Sequence, residues 1–448
     1  MVNLFGDPLL ETTSVEDTKV LRNKIKSTTK TTQEKTSAKS AKIIEQIARI
    51  RKEVDRILGR YKHNTIVIRD KETLHKYIDK ALENGICAVD TETNNTLDTI
   101  EGKIMGGCLY TPGMKQAYIP INHIDVYTRN KLPNQLTEEE LGEELARLTN
   151  GTRLIYHNAK FDISVIKSTC GVRLPYYWDT SIGARLLDEN ESASLKEQYR
   201  LHIDSSQEKY SIDHLFEGME YAIFEPELFA LYAATDPYIT FKLYEYQEKE
   251  FNKEENVGVF RVFKDVEMPV LEAVTDMELT GIELDLEYHH RLYNKYLSIQ
   301  DRMKNDLQQE IEKVRPAIDV WRKTTQANEK TIGKNGSVGK SKSEQLDEIV
   351  NVDSPTQMAI LLYDILKMPV VDEKQPRSTG KSAMKVFAEQ YNQPICQKML
   401  EYKEFQKLID SFLEPLPKLV KKSTDRVHCN YNQLGTSTGR FSCSDPNL

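Results

Sequence analysis

The sequence predicts an α/β domain followed by a mostly α-helical region. Strand-like and helix-like segments alternate from Thr65 to about residue 250. Strand signals then vanish after Val257, and long amphipathic helical runs take over. A chain of 448 residues with 39% hydrophobic and 29% charged residues has material for several cores. No stretch approaches the ~20 apolar residues of a membrane span, and "MVNLFGDPLLETTS" lacks the basic-then-apolar pattern of a signal peptide. The 6 cysteines form no Cys-x-x-Cys pair, which argues for reduced thiols in a cytoplasmic setting and against structural zinc. A net charge of −8 decides nothing about nucleic acid, because acidic enzymes can carry a local basic path.

The elements follow in order. Residues 1–42, with "NKIKSTTKTTQEKTSAKSAK" inside them, are too poor in aliphatics to offset their ordering entropy and read as a flexible tail. Ile43, Ile47, Ile50, Val54 and Ile57 mark one face of a helix over 43–62. That seam is too short to stand alone, so it docks on the next domain or, in the second reading, binds a partner. "TIVIR" is a strand, "KETLHKYIDKALENG" a helix closed by Gly85, and "ICAVDTE" a buried strand. "KIMGGCLYT", "QAYIPI" and "TRLIYH" add strands, with the helix "TEEELGEELARLT" before the last. Beyond Val257, helices flank the "GIELD" turn. Residues 322–345, with Lys323, Lys330, Lys334, Lys340 and Lys342 among glycines, read as a mobile basic loop. It either grips phosphates or is a solvated surface.

Asp90 and Glu92 lie two apart at the end of an apolar strand, so both carboxylates project from one face. Side by side they repel, which is costly without a cation. Asp162 falls in the first turn of the helix "KFDISVIK", where a carboxylate also suits the helix dipole. Tyr232 and Asp236 are spaced i, i+4 on a helical pattern that Pro237 would kink. A second Asp-x-Glu, Asp285 and Glu287, precedes a helix and reads as a cap.

Each signal is weak alone, but their order is specific. Asp90-x-Glu92, Asp162 and Tyr232-x-x-x-Asp236 resemble the proofreading 3′–5′ exonuclease superfamily in its tyrosine branch; the histidine branch would have His where this chain has Leu231. The segment "WDTSIGARLLDENESASLKEQY" is similar to the link between the second and third motifs of bacterial polymerase I. The resemblance implies a five-stranded mixed RNase H-like sheet and two-metal phosphodiester hydrolysis with Mg²⁺ or Mn²⁺. In that scheme Asp90, Glu92 and Asp236 hold one ion, and Asp90 with Asp162 serves the other. Tyr232 and Glu92 orient water, and Leu97, Asn158 and Arg440 contact DNA.

From "EMPVLEAVTDMELTGIELD" onward the chain is similar to the thumb of family A DNA polymerases, and "DRVHCNYNQLGTSTGRFSCSDPNL" to the entry into the palm. The implied layout is tail 1–42, helix 43–62, exonuclease 63–255, thumb 256–425 and the start of a palm at 426–448. Exonuclease activity without polymerisation is then expected, with DNA (a single-stranded 3′ end and primer–template) as partner. A second polypeptide supplying palm and fingers and a processivity factor are further expected partners. The expected setting is the cytoplasm of a bacterial or phage-infected cell. Two other readings remain: a non-catalytic DNA-gripping module of a split polymerase, and a tyrosine-type RNA 3′-exonuclease.

Overall fold

The computed structural model describes residues 42–447, except 95, 206–212, 217, 326–329, 333–337, 342–343 and 437. Apart from Lys42, the segment read as a flexible tail lies outside the described residues. Contacts gather the chain into two units: Met1–Thr280 with Asn430–Cys443, and Gly281–Cys429 with Ser444–Leu448.

In the first unit, helix α1 spans residues 42–58. Its seam enters a cluster with Phe216, Leu228 and Phe229, where Ile50, Val54 and Leu58 are buried. The seam docks because a single short helix gains more by covering an apolar neighbour than by standing in water. Strand β1 (Thr65–Val67) leads to α2 (Lys71–Asn84). Asp70 caps its start by accepting from Thr73 N, and Gly85 ends it at φ 62, a conformation that suits glycine. Then come β2 (Ile86–Thr93), β3 (Ile104–Tyr110) and β4 (Gln116–Pro120). Helix α3 (Glu138–Arg147) opens with a Thr137/Glu140 capping box, and β5 (Arg153–Tyr156) follows it.

Helix α4 (Ala159–Cys170), strand β6 (Trp178–Asp179), α5 (Thr180–Leu187) and α6 (Leu195–His202) come next. Helices α7 (Pro226–Ala233) and α8 (Thr235–Phe251) complete the α/β part. The sheet order is β1-β4-β3-β2-β5-β6, six strands where five were expected. The extra one, β6, is two residues long and runs straight into a helix, so it carries no strand periodicity.

One feature of the register makes room for a site. Strand β2 pairs antiparallel with β3 from Ala88 to Thr93, but parallel with β5 only from Ile86 to Ala88. Past Ala88 the β5 side of β2 is therefore open.

Helix α9 (Val257–Val262), a π-helical turn (Phe263–Glu267) and α10 (Met268–Thr280) stay with the first unit. Phe263, Met268 and Leu271 are buried in the same core as Trp178 and Phe251. The sequence suggests a division at 255/256; this packing moves it to Thr280/Gly281.

The second unit begins with β7 (Ile282–Glu283), which pairs later with β10. Helices α11 (Leu286–Lys313) and α12 (Arg315–Thr324) follow, the first capped by Asp285, which accepts from Tyr288 N at 2.8 Å. The second Asp-x-Glu is thus a helix start. Strands β8 (Lys330–Ile332) and β9 (Val338–Ser341) form a hairpin. The expected loop over 322–345 is corrected accordingly: Lys323 ends a helix, Lys330 and Lys340 lie in the hairpin, and Lys334 and Lys342 fall outside the described residues. Helices α13 (Pro355–Ala359), α14 (Lys381–Glu389) and α15 (Pro394–Leu408) pack with α11 and α12 around Leu307, Ile311, Ile318, Leu361 and Phe387. Strand β10 (Arg426–Val427) closes the β7 pair.

Strands β11 (Asn430–Asn432) and β12 (Ser442–Ser444) pair with each other. Strands therefore do occur beyond Val257, each too short to show alternation. No helix among the described residues is long and apolar enough to cross a membrane. None of the six cysteines is in a disulfide.

Candidate active site

The open side of β2 is where the acidic residues gather. Asp90 and Glu92 alternate with Thr91 along the strand, so the two acids share a face. Beside Glu92 in the sheet lies Gly106. A Cβ there would come within 2.4 Å of the buried Tyr118 ring, so only glycine lets β3 run flat at this point.

Helix α4 delivers Asp162, and its start is held by Asp179. That carboxylate, 1% exposed, accepts Asn158 N at 3.1 Å and Ala159 N at 2.8 Å, as well as Ser181 N at 2.8 Å from the start of α5. One side chain therefore satisfies the free donors of two helix ends. Asn158 takes a left-handed φ of 70, which turns the chain from β5 directly into α4. The first turn of α4 then places Asp162 against β2, where Thr91 Oγ1 donates to Asp162 Oδ1 at 2.6 Å.

The third segment differs from the expected single helix. Tyr232 lies in the last turn of α7 and Asp236 in the first turn of α8, with Ala234 between the two helices. Pro237 falls in the first turn of α8, where its missing N–H costs nothing, so the chain starts a new helix there. Ala234 keeps right-handed helical angles, and the two side chains stay near each other. Tyr232 is packed by Phe216 (ring centroids 5.1 Å) and Phe229 (5.5 Å). Lys196, from α6, lies 4.6 Å above the Tyr232 ring and 3.5 Å from Asp236 Oδ2.

The electrostatics show that these segments meet. Burial pushes the Asp90 carboxyl well above the usual range, and Asp162, Asp236 and Glu92 push it further, while Lys196 opposes them. Asp162 is likewise raised by burial, against the Thr91 hydrogen bond. The Cys108 thiol, across the sheet register from Asp90, is raised by burial and by all four carboxylates. Among the described residues no three such side chains close around a common point tightly enough to hold an ion. The carboxylates are neighbours in charge, partly neutralised by Lys196, and they offer oxygen donors only.

Residues 65–252 match the family described as 3′–5′ exonuclease, and residues 322–448 match DNA polymerase family A. The chain is similar to family A of the DNA polymerases in its C-terminal part and to their 3′–5′ exonuclease domain before it. Among the similar proteins is DNA polymerase I of Borreliella burgdorferi, 25% identical over 85% of this chain and 37% of that protein. DNA polymerase I of Treponema pallidum is 27% identical over 92% of this chain and 40% of its own length. The chain thus spans about two fifths of these curated relatives. Its fold is also like that of the POL domain of Pol1 from M. smegmatis, solved in complex with DNA primer-template and dNTP. The TM-score is 0.54 at 19% identity, covering 84% of this chain and 54% of that one.

Within the segment that matches the exonuclease family, Asp90, Glu92, Asp162, Tyr232 and Asp236 come together from three segments. Leu97 stands 89% exposed, and Asn158 and Arg440 are exposed as well. Arg440 belongs to the turn between β11 and β12, which Thr436 Oγ1 ties by accepting from Arg440 N at 3.0 Å. Sequence reasoning missed Thr91, Asp179 and Lys196. An Asp before "TS" is an N-cap pattern and offered a signal for Asp179. Nothing local marks Lys196, because its neighbours are reached only through packing.

Proposed function

We propose that this chain removes nucleotides from the 3′ end of DNA by metal-assisted hydrolysis, as the proofreading part of a family A DNA polymerase that serves replication and repair. The observation that carries this reading is the convergence of Asp90 and Glu92 from β2, Asp162 from α4 and Asp236 from α8 beyond the point where β2 leaves β5. Oxygen donors without His or Cys suit hard divalent cations, Mg²⁺ or Mn²⁺, and four carboxylates are enough charge for two of them. Asp90, Glu92 and Asp236 would hold one ion, and Asp90 with Asp162 the other. When bound, such a pair stabilises the entering and leaving oxygens of an in-line phosphoryl displacement.

The remaining roles fall to the chain's own side chains. Tyr232, held edge and face by Phe229 and Phe216, keeps its hydroxyl in one orientation and with Glu92 positions the attacking water. Leu97, bare to solvent, offers an apolar surface to the terminal base. Asn158 and Arg440 contact the strand. DNA is favoured over RNA as substrate by the match of residues 322–448 to a DNA polymerase family.

The deciding experiment is release of nucleotides from 5′-labelled single-stranded DNA with Mg²⁺. The Asp90→Ala, Glu92→Ala double variant should release none while its circular dichroism stays that of the parent. Degradation at the parental rate would refute the assignment.

A further inference from the structure

Lys196 is the side chain at the carboxylate cluster that the proposed chemistry leaves without a task. Helix α6 is seated on α8 through Leu195, Tyr199 and Ile203, which pack with Tyr238 and Ile239. That docking carries the Lys196 ammonium to 3.5 Å from Asp236 Oδ2 and 4.6 Å above the Tyr232 ring. Both partners are largely enclosed, with side chains 22% and 17% exposed. Of the five largest influences on Asp90, Lys196 is the one that favours ionisation; burial and three carboxylates all disfavour it.

A cluster of carboxylates drawn together by strand, helix and turn needs positive charge whenever it lacks a divalent cation. Lysine suits that need: a compact point charge on a flexible four-carbon stem can approach a carboxylate and withdraw from it. A cation–π contact to Tyr232 adds a second resting point for the same ammonium.

We propose that Lys196 is a built-in counter-cation, which neutralises Asp236 when no divalent ion is bound and must release it when one binds. The inference rests on the reading of Asp90, Glu92, Asp162 and Asp236 as a divalent-cation site. It makes Lys196 a competitor of the metal. Its charge sets the affinity of the site and limits the strain of holding these acids together without metal. Lys196 is thus a positioning residue for Asp236 and Tyr232 and not a ligand.

The test uses the full chain with Mn²⁺ as probe, by isothermal titration calorimetry at fixed neutral pH and by thermal melting in EDTA and in Mn²⁺. Lys196→Met keeps the apolar stem and removes the charge. It should bind Mn²⁺ about tenfold more tightly, the scale on which one neighbouring opposite charge acts. It should also melt lower than the parent in EDTA and gain more from Mn²⁺. Lys196→Arg, which retains the charge, should stay close to the parent in both measurements. Equal or weaker Mn²⁺ binding by a folded Lys196→Met overturns the proposal while leaving the metal site standing. Asp236→Ala separates the two ideas, since it should lose most Mn²⁺ binding whether or not Lys196 is present. A parent chain and a Lys196→Met variant that both fail to bind Mn²⁺ would overturn the site and the counter-cation together.

Discussion

Thr91 Oγ1 donates to Asp162 Oδ1 across 2.6 Å, linking the strand that carries Asp90 and Glu92 to the helix that carries the third acid. Asp162 is 2% exposed, so this hydroxyl does what water would do elsewhere. Thr91→Val is nearly isosteric but leaves the buried oxygen without that donor. It should cost the first unit about 1–3 kcal/mol, measured by denaturant unfolding. Release of 3′ nucleotides should fall with it, and Thr91→Ser should recover most of both. Equal stability of Thr91→Val and the parent would show that the bond contributes nothing.

His123 should make the first unit sensitive to mild acid. The ring is fully buried; Nδ1 donates to the Phe224 carbonyl at 2.8 Å, and Nε2 accepts from the Tyr118 hydroxyl at 2.7 Å. Burial lowers its pKa from 6.5 to about 4. A depressed folded-state value means that the unfolded chain takes up the proton first. Stability is therefore full above about pH 6.5 and declines as pH falls toward 4, by up to about 3 kcal/mol. Melting curves between pH 7.5 and 4.5 should show the decline. His123→Gln should start less stable and fall less steeply, and equal slopes for the two proteins would remove His123 as the cause.

Asp353 should make the second unit sensitive to stronger acid. It joins Lys304 of α11 (2.9 Å) to Tyr402 (3.0 Å) and Lys403 (3.0 Å) of α15. Burial pushes its carboxyl up, but these three hydrogen bonds outweigh burial and hold it at about 2. The stabilisation is present above the unfolded value of 3.8 and is lost as pH drops toward 2. Asp353→Ala should destabilise the second unit by about 1–2 kcal/mol at pH 7, a figure reduced for the third of the side chain that water still reaches. The gap from the parent should narrow at pH 3; a gap that stays constant would assign the loss to packing instead.

Much of the architecture was legible in local patterns because local physics sets it. A short apolar run marked β2 as a buried strand, Gly85 ended α2, and Asp285 at the head of an amphipathic run was readable as a cap. The acids could be named because each sits at a recognisable punctuation of the chain: a strand end, a first helical turn, a helix boundary. Where elements were only two or three residues long, as in β6, β7 and β10, periodicity had no room to appear. Tyr232 and Asp236 were read on one helix because a one-residue break at Ala234 leaves the spacing unchanged.

Tertiary structure settled everything that depends on meeting across distance. Whether β2 stays paired with β5 beyond Ala88 is a matter of register, and that gap alone lets α4 bring Asp162 to Thr91. Residues 256–280 look like any amphipathic helix, and only the burial of Phe263, Met268 and Leu271 assigns them to the first unit. Lys196 is an ordinary surface-type residue in its own segment and becomes the cation beside Asp236 because α6 docks on α8. Hydrophobic spacing along a chain encodes which face of an element is buried. It carries no record of which charged group another element will bring within a few ångströms, because that partner is chosen by packing.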